Sequence, residues 1–492
     1  MISNLMTGFS LVFQPLTFLL MVFGTGVGVI IGALPGLTAS MGIILLLPLV
    51  YRLPASVSLV MLCGLFCGGM YGGSISAILL KTPGSPSAAA TLLDGYPLCE
   101  QGKAGKALGI STISSFIGGL ISTICLILIA PELAKVALKF QAADYFSLSI
   151  FGLSIMASSS GKNVVKGVIA GCIGLLASCV GIDTIVGVNR LTFNNMHLAG
   201  GFTLLPVLIG VFAISEVLTQ VQSINEMKTI GVQTVGSILP SWIDIKSILP
   251  SALVGGVLGV FIGIVPGTGG AIACFLAYNL AQKFAKDRHL FGQGALSGVA
   301  APESANNATT GGALIPMLCL GVPGDVVTSV MLGALILIGV RPGPLLFVEN
   351  VDIVYSIFSG MIIIQFLMLG FGLLSSRYAP AILKVPNTLL MPIIIVLCVV
   401  GSFSLNNSLY DVTVALSFGV LGYFMKRWGY PGAPLVLGII LGPMAEENLN
   451  RALLVSNNSW AILLQRPISL TFLILAAGSI ILSIYSARKK GA

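Results

Sequence analysis

The sequence predicts an all-α polytopic membrane protein, with about 12 transmembrane helices in two inverted-topology repeats. Composition is the first observation behind this class: of 492 residues, 56% are hydrophobic and 8% are charged, which leaves too little polar surface for a soluble globule of this size. An internal duplication is the second. Residues 24–36 (GTGVGVIIGALPG) recur as residues 255–267 (GGVLGVFIGIVPG), with glycine, valine, isoleucine and proline at matched positions.

Apolar stretches that can cross about 30 Å of hydrocarbon follow one another along the chain. Shorter or glycine-broken pieces indicate half-helices or re-entrant hairpins, and they lie near residues 37–50, 268–282, 311–322 and 433–443. The longer candidate spans lie near residues 8–34, 55–80, 107–130, 145–160, 164–182, 202–221, 248–265, 326–348, 353–374, 388–405, 410–425 and 467–486.

Basic residues predict how the two halves are oriented. In the first half Lys103 and Lys106 follow the second of two motifs described below, whereas in the second half Lys283 and Lys286 lie between the motifs. Because basic loops stay on the cytoplasmic side, this exchange predicts repeats that are inverted about an axis in the membrane plane. The chain then divides into a first transmembrane repeat (1–182), an inter-repeat loop and connecting helix (183–245), a second transmembrane repeat (246–430) and a C-terminal re-entrant segment with the last transmembrane helix (431–492).

Each half contains two Pro-Gly breaks. A helix that ends inside a membrane leaves backbone N–H and C=O groups that protein, water or a ligand must satisfy. Paired breaks in corresponding halves point to a transporter's binding site, where freed amides and helix N-termini suit an anion. Packing between helices is the alternative explanation for the glycines. The breaks are Pro35-Gly36, Pro83-Gly84, Pro266-Gly267 and Pro323-Gly324.

Polar residues near the breaks supply the candidate ligands. Residues 301–312 form the most polar stretch of an apolar region, and its Asn306 and Asn307 can offer amide oxygens to Na⁺ or amide N–H groups to a carboxylate. Glu303 can take up a proton or hold a helix end, and Asp325 can join a cation site or cap the next helix. The substrate-binding candidates are the four Pro-Gly pairs with Thr82, Ser85, Ser87, Thr268, Asn306 and Asn307; the ion-coupling candidates are Glu303, Asn306, Asn307 and Asp325; Thr91, Thr328 and Ser329 are further hydroxyl donors.

Several stretches carry a resemblance to a known family, the longest being APESANNATTGGALIPMLCLGVPGD at residues 301–325. On these stretches, and over its whole length, the chain resembles the large permease subunit of the tripartite tricarboxylate transporter family. The resemblance implies a permease of the bacterial inner membrane that imports carboxylates with an ion gradient, together with a small four-span membrane subunit and a periplasmic solute-binding protein. Lys81 departs from the pattern, because an uncharged polar residue such as Asn is expected there, and its charge can alter substrate or ion preference. The matching stretches are GALPGL (32–37), GGMYGGSISAILL (68–80), TLLDGYPL with QGKAGKALG (91–109), APESANNATTGGALIPMLCLGVPGD (301–325) and GVRPGPLLF (339–347).

These observations favour a secondary active importer of tricarboxylates, dicarboxylates or related organic acids, coupled to Na⁺ or H⁺. Na⁺ is slightly favoured because carbonyl and amide oxygens are plentiful around the breaks and embedded carboxylates are few. Two alternatives are an ion channel with a broken-helix filter and a membrane-embedded enzyme, although the scarcity of histidine and paired carboxylates argues against catalysis. We expect no catalytic residue, no resident cofactor or metal beyond transient Na⁺, and no nucleic-acid partner.

Overall fold

The computed structural model describes residues 1–159, 164–183, 187–223, 236–383 and 387–491. Parts of the predicted inter-repeat segment, residues 184–186 and 224–235, lie outside these ranges. Two antiparallel strands of two residues each, β1 (Gly181–Ile182) and β2 (Asn189–Arg190), pair with one another. The helices are α1 (Ile2–Val12), α2 (Pro15–Ala33), α3 (Ala39–Val50), α4 (Ala55–Leu80), α5 (Ala89–Glu100), α6 (Ala104–Ala137), α7 (Ala142–Ser159), α8 (Val164–Ser178), α9 (Met196–Ala199), α10 (Leu204–Leu208), α11 (Ser215–Ser223), α12 (Trp242–Ile264), α13 (Gly269–Phe284), α14 (Leu296–Leu320), α15 (Val326–Leu337), α16 (Leu346–Glu349), α17 (Val351–Ile382), α18 (Asn387–Asn406), α19 (Leu409–Arg427), α20 (Gly432–Val455), α21 (Ile462–Gln465) and α22 (Pro467–Gly491).

The protein is all-α and polytopic, as predicted. Among the described residues, seven helices are long and apolar enough to cross a membrane, and several apolar helices of 10–17 residues accompany them. The predicted total of about 12 spans therefore depends on the shorter helices as well, because length and hydropathy alone select seven. The seven are Pro15–Ala33, Ala55–Leu80, Ala104–Ala137, Leu204–Gln222, Trp242–Ile264, Val351–Leu374 and Thr388–Asn406.

Three predicted segments differ from the observed helices. The piece near 311–322 is not a half-helix but the end of the continuous α14, because Gly311 and Gly312 pack closely against Ser122 and Gly263 instead of breaking the helix. The piece near 433–443 belongs to α20, which has 24 residues. Conversely, the span predicted at 326–348 is the 12-residue α15, which ends at Leu337.

Helices α4 and α14 form an antiparallel pair at the centre of the molecule. As the residue numbers of the contacts increase along α4, those of their partners on α14 decrease. Since α4 and α14 occupy corresponding places in the duplicated sequence, this geometry gives the two repeats opposite directions. The contacts join Cys67 to Thr310 (Sγ to Oγ1, 3.7 Å), the Met70 carbonyl to the Asn306 amide (3.0 Å) and Ser74 to Glu303 (2.5 Å).

Each repeat opens with a helical hairpin that packs along its central helix. In the first repeat α2 runs parallel to α4, and a Cβ on Gly28 would lie only 2.5 Å from the Leu65 carbonyl oxygen. In the second repeat α12 lies along α14, where a Cβ on Gly259 would overlap the Ala305 carbonyl. These glycines allow close approach of the helix backbones, which is the packing role that the sequence left open. Helices α3 and α13 return along α2 and α12.

The polar stretch of α14 lies inside the protein. Every residue from Ser297 to Cys319 is buried, and so is every residue from Val57 to Leu80 of α4. Hydroxyl, amide and carboxyl groups in these helices therefore face other helices instead of lipid, which is the arrangement expected of polar groups at membrane depth.

Candidate substrate and ion site

The first Pro-Gly pair of each repeat forms the tight turn at the tip of the helical hairpin. The amide of Leu37 donates to the Leu34 carbonyl over 3.1 Å, and the matching bond in the second repeat spans 3.4 Å. Gly36 has a φ of +85° and Gly267 a φ of +77°. Proline presets the first turn position and glycine takes the positive φ of the second, so Pro-Gly dictates this type II geometry.

The second Pro-Gly pair has a different role. After α4 and α14 the chain folds back along the helix, and the glycine then meets the hairpin of its own repeat. A Cβ on Gly84 would lie 2.5 Å from the Gly32 carbonyl oxygen, and one on Gly324 would lie 2.8 Å from that of Gly263. These two glycines are therefore needed for close packing, not for a positive φ.

The breaks of the two repeats come together beside the middle of α4 and α14. In the second repeat the amide of Gly267 donates to the Gly324 carbonyl over 2.7 Å. Across the repeats, a Cβ on Gly270 would lie 3.2 Å from the Ser87 Cβ and 3.4 Å from the Met70 side chain. The other hairpin makes the matching contact, because α3 packs against α15. The structure thus brings all four predicted breaks to one region.

Four helix N-termini point into this region, but their capping differs. Thr38 caps α3 and Ser85 caps the short turn before α5, each by accepting from a backbone amide. Asp325 caps α15 in a capping box with Thr328, with bonds of 2.7 and 2.8 Å, so the structure favours its capping role. Thr268 instead donates back to carbonyls of α12 and leaves the α13 N-terminus without a side-chain cap.

The corresponding loops after α4 and α14 differ in their exposure to solvent. Thr82 and Pro83 are exposed, and Ser85 is half-buried. In the second repeat Pro323 and Gly324 are buried. The loop after α4 is therefore exposed, whereas the corresponding loop after α14 is buried. Of the remaining predicted residues, Pro35, Gly36 and Thr268 are half-buried, and Pro266, Gly267 and Ser87 are buried.

Glu303 lies in a network of hydroxyl groups between α14 and the first repeat. Its side chain is fully buried, and both carboxylate oxygens accept hydrogen bonds from first-repeat helices. Such charge-assisted bonds stabilise a buried carboxylate and tie α14 to the other repeat. The sequence indicated Glu303 but not this environment, although the serines one turn apart on α6 were a usable signal. The donors are Ser74 (2.5 Å), Thr91, Ser111 (2.9 Å) and Ser115 (3.0 Å).

Asn306 and Asn307 are buried on different faces of α14. The amide nitrogen of Asn306 donates to the Met70 carbonyl, which places this side chain beside the breaks. Among the residues that the structure describes, the Asn306 Oδ1 and both polar atoms of the Asn307 side chain have no hydrogen-bond partner. Gln365 of α17, which sequence reasoning missed, likewise has an unpartnered Oε1. A single amide in an apolar span is the signal that could have identified it.

A second buried carboxylate that the sequence did not single out is Asp94 of α5. Its Oδ1 accepts three backbone N–H groups of the loop before α14, each over 2.8 Å, and its Oδ2 accepts the Tyr278 hydroxyl over 2.9 Å. Asp94 therefore attaches the first repeat to the α13–α14 loop of the second. The three donors are Gly292, Gly294 and Ala295.

Residues 18–437 match the family described as "Tripartite tricarboxylate transporter TctA family". The chain is 35% identical over 484 residues to an Agrobacterium vitis protein described as "Uncharacterized 52.8 kDa protein in TAR-I ttuC' 3'region", which covers 98% of this chain and 96% of that protein. A second A. vitis protein, "Uncharacterized protein in TAR-II ttuC' 3'region", is 35% identical over 226 residues, or 46% of this chain and 93% of that protein. No solved structure matches the chain. The chain therefore belongs to the TctA family of tripartite tricarboxylate transporters and is a multi-pass membrane permease.

Proposed function

We propose that this permease is a secondary active importer of tricarboxylates, dicarboxylates or related organic acids, driven by a Na⁺ or H⁺ gradient. The observation that carries the proposal is the meeting of four Pro-Gly breaks from two inverted repeats beside the middle of α4 and α14. Broken helices at such a place are how secondary transporters hold their substrates.

An anion fits this meeting point better than a neutral solute. Helix N-termini carry partial positive charge and free N–H groups, and the N-terminus of α13 has no side-chain cap to compete with a ligand. Ser87 lies beside it and offers a hydroxyl. Asp325 repels an anion at the N-terminus of α15, so we place the carboxylate at α13.

The exposure of the loops supports alternating access. If the basic residues mark the cytoplasmic side, the exposed loop at Thr82 and Pro83 faces the cytoplasm and the buried loop at Pro323 faces the opposite side. The described conformation is then open inward. Because the repeats are inverted, exchanging their conformations opens the other side around the same site.

The partners we propose are a small four-span membrane subunit and a periplasmic solute-binding protein, with the complex in a bacterial inner membrane. Membership of a tripartite family supports additional subunits. The binding protein would deliver the organic acid to the outward-open permease, and the gradient would drive its release inside.

The test is uptake of labelled citrate, tartrate and succinate into proteoliposomes that contain both membrane subunits, with binding protein outside. We expect uphill uptake that requires the binding protein and an inward Na⁺ or H⁺ gradient. Binding-protein-independent currents at channel rates, or conversion of the acid to a product, would replace the proposal with a channel or an enzyme.

A further inference from the structure

Two buried amides, Asn307 of α14 and Gln365 of α17, leave polar atoms without partners. Both side chains are 0% exposed, and Asn307 Oδ1, Asn307 Nδ2 and Gln365 Oε1 make no hydrogen bond within the described part of the chain. A buried polar atom that has no hydrogen-bond partner destabilises the folded protein. These three atoms lie on two helices that both pack against α4 and α6, and each atom lacks the polar partner that its burial calls for.

The helices that carry the two amides pack against adjacent glycines of α6, Gly118 and Gly119. Asn307 lies between two close contacts of α14 with α6, where Gly118 meets Ser304 and Ser122 meets Gly311. Gly119 faces Gln365, and a Cβ on Gly119 would overlap its Oε1. Along α6, Asn307 therefore lies between the levels of Gly118 and Ser122, and Gln365 lies at the level of Gly119.

Cys67 of α4 sets the direction of the Gln365 amide. The Gln365 Nε2 donates to Cys67 Sγ over 3.6 Å, and the thiol donates to Thr310 Oγ1 over 3.7 Å. The nitrogen end of the amide is therefore occupied, and its oxygen is left for another group. The Thr310 hydroxyl donates to the Asn307 carbonyl over 2.7 Å and keeps lone-pair capacity of its own.

The available atoms suit a small cation. Two amide oxygens and a hydroxyl oxygen outnumber the single free donor, Asn307 Nδ2. Glu303 adds a carboxylate one turn earlier on α14, but its oxygens are taken up by hydroxyl donors. The candidate ligands are neutral oxygens, and the nearby Glu303 carboxylate is not among them. Such a ligand set suits Na⁺ better than a divalent ion, which is usually bound directly by carboxylates.

We propose that Asn307, Gln365 and Thr310 form a Na⁺ site, and that this ion is the coupling ion of the proposed import, on which the inference depends. Helices α4 and α6 of the first repeat and α14 and α17 of the second all border the site. Relative motion of the repeats therefore changes its geometry. Asn306, one residue away and about 100° around the helix, faces the breaks instead, so consecutive residues serve ion and substrate.

The test measures Na⁺-dependent thermal stabilisation and ²²Na⁺ binding of the purified full-length permease, with K⁺ as the comparison ion. We expect Asn307→Leu and Gln365→Leu to weaken Na⁺ binding at least tenfold. Asn307→Leu should fold well, because it keeps the number and branching of the side-chain heavy atoms and removes unpaired polar atoms. Asn306→Ala is the matched buried-amide control and should keep Na⁺ binding while substrate uptake falls.

Equal Na⁺ stabilisation of wild type and both leucine variants would overturn the site and leave only bound water there. Asn307→Asp guards against misfolding: it retains an oxygen and should retain Na⁺ binding, and its loss of Na⁺ binding in a folded protein would also count against the site. Na⁺-driven uptake that survives the leucine variants refutes the site alone. Intact Na⁺ binding without any gradient-driven uptake refutes the proposed function alone.

Discussion

Lys81 and Gly321 occupy the same left-handed backbone position at the ends of corresponding helices in the two repeats, with φ of 59° and 70°. Glycine takes this conformation freely, whereas a residue with a Cβ is strained there by about 1–2 kcal/mol. The Lys81 ammonium lies 5.0 Å from the centre of the Tyr96 ring, and this cation–π contact offsets part of the strain.

Replacing Lys81 by Asn should therefore raise the thermal stability of the permease slightly. Asparagine tolerates the left-handed conformation, so relief of strain should exceed the loss of the Tyr96 contact, with a net gain of about 0.5–1 kcal/mol. The measurement is the unfolding temperature in detergent. Lys139→Asn is the control, because Lys139 is also exposed but has no positive φ. A fall in stability with Lys81→Asn would contradict the assignment of strain.

The sequence predicted the hairpins well because their turn chemistry is local. Pro35-Gly36 and Pro266-Gly267 set the type II turns without help from distant residues. The inversion of the repeats also followed from local information, namely the places of basic residues. By contrast, the sequence near Gly311 predicts a helix break that is absent. No residue close to Gly311 in the sequence indicates that Ser122 of α6 packs against it.

Long-range pairing explains what the sequence could not predict about the site. The carboxylate of Glu303 is surrounded by hydroxyls nearly 200 residues or more away along the chain, so a role in coupling and a structural role were indistinguishable beforehand. Asn306 and Asn307 are adjacent in the sequence, but consecutive residues of an α-helix lie on different faces, so their side chains have different surroundings. The roles of the predicted substrate and ion residues stay predictions.

Gly84→Ala and Gly324→Ala should each abolish uptake. In both variants the new methyl group meets backbone, the Gly32 carbonyl in one and the Gly263 carbonyl in the other, and backbone cannot move aside cheaply. The measurement is uptake per amount of folded protein in proteoliposomes. Gly370→Ala is the matched control in α17, since a Cβ there has nothing within 4 Å. Normal uptake by both loop variants would show that the close packing is dispensable.

Thr82 and Val322, which hold corresponding positions, should differ in accessibility. Thr82→Cys should react from the cytoplasmic side with a membrane-impermeant maleimide, because Thr82 is exposed, whereas Val322→Cys should be protected because Val322 is 0% exposed. Mass spectrometry of the labelled peptides separates these sites from the native cysteines, of which Cys172 is exposed. Reaction of Val322→Cys in preference to Thr82→Cys would reverse the proposed direction of opening.

Asp94→Ala should destabilise the permease strongly, because it leaves three backbone N–H groups and the Tyr278 hydroxyl without their acceptor. The expected loss is about 3 kcal/mol or more, given about 1–3 kcal/mol for each buried group that stays unpaired. Asp94→Asn should lose less, since its amide oxygen can still accept from the loop. Thermal unfolding in detergent measures both, with Glu132→Ala as the control, because the Glu132 side chain is 69% exposed and its ion pair contributes little. If Asp94→Ala unfolded no earlier than the Glu132 variant, the α13–α14 loop would have to be held to the first repeat by other contacts, and Asp94 would not be what attaches it.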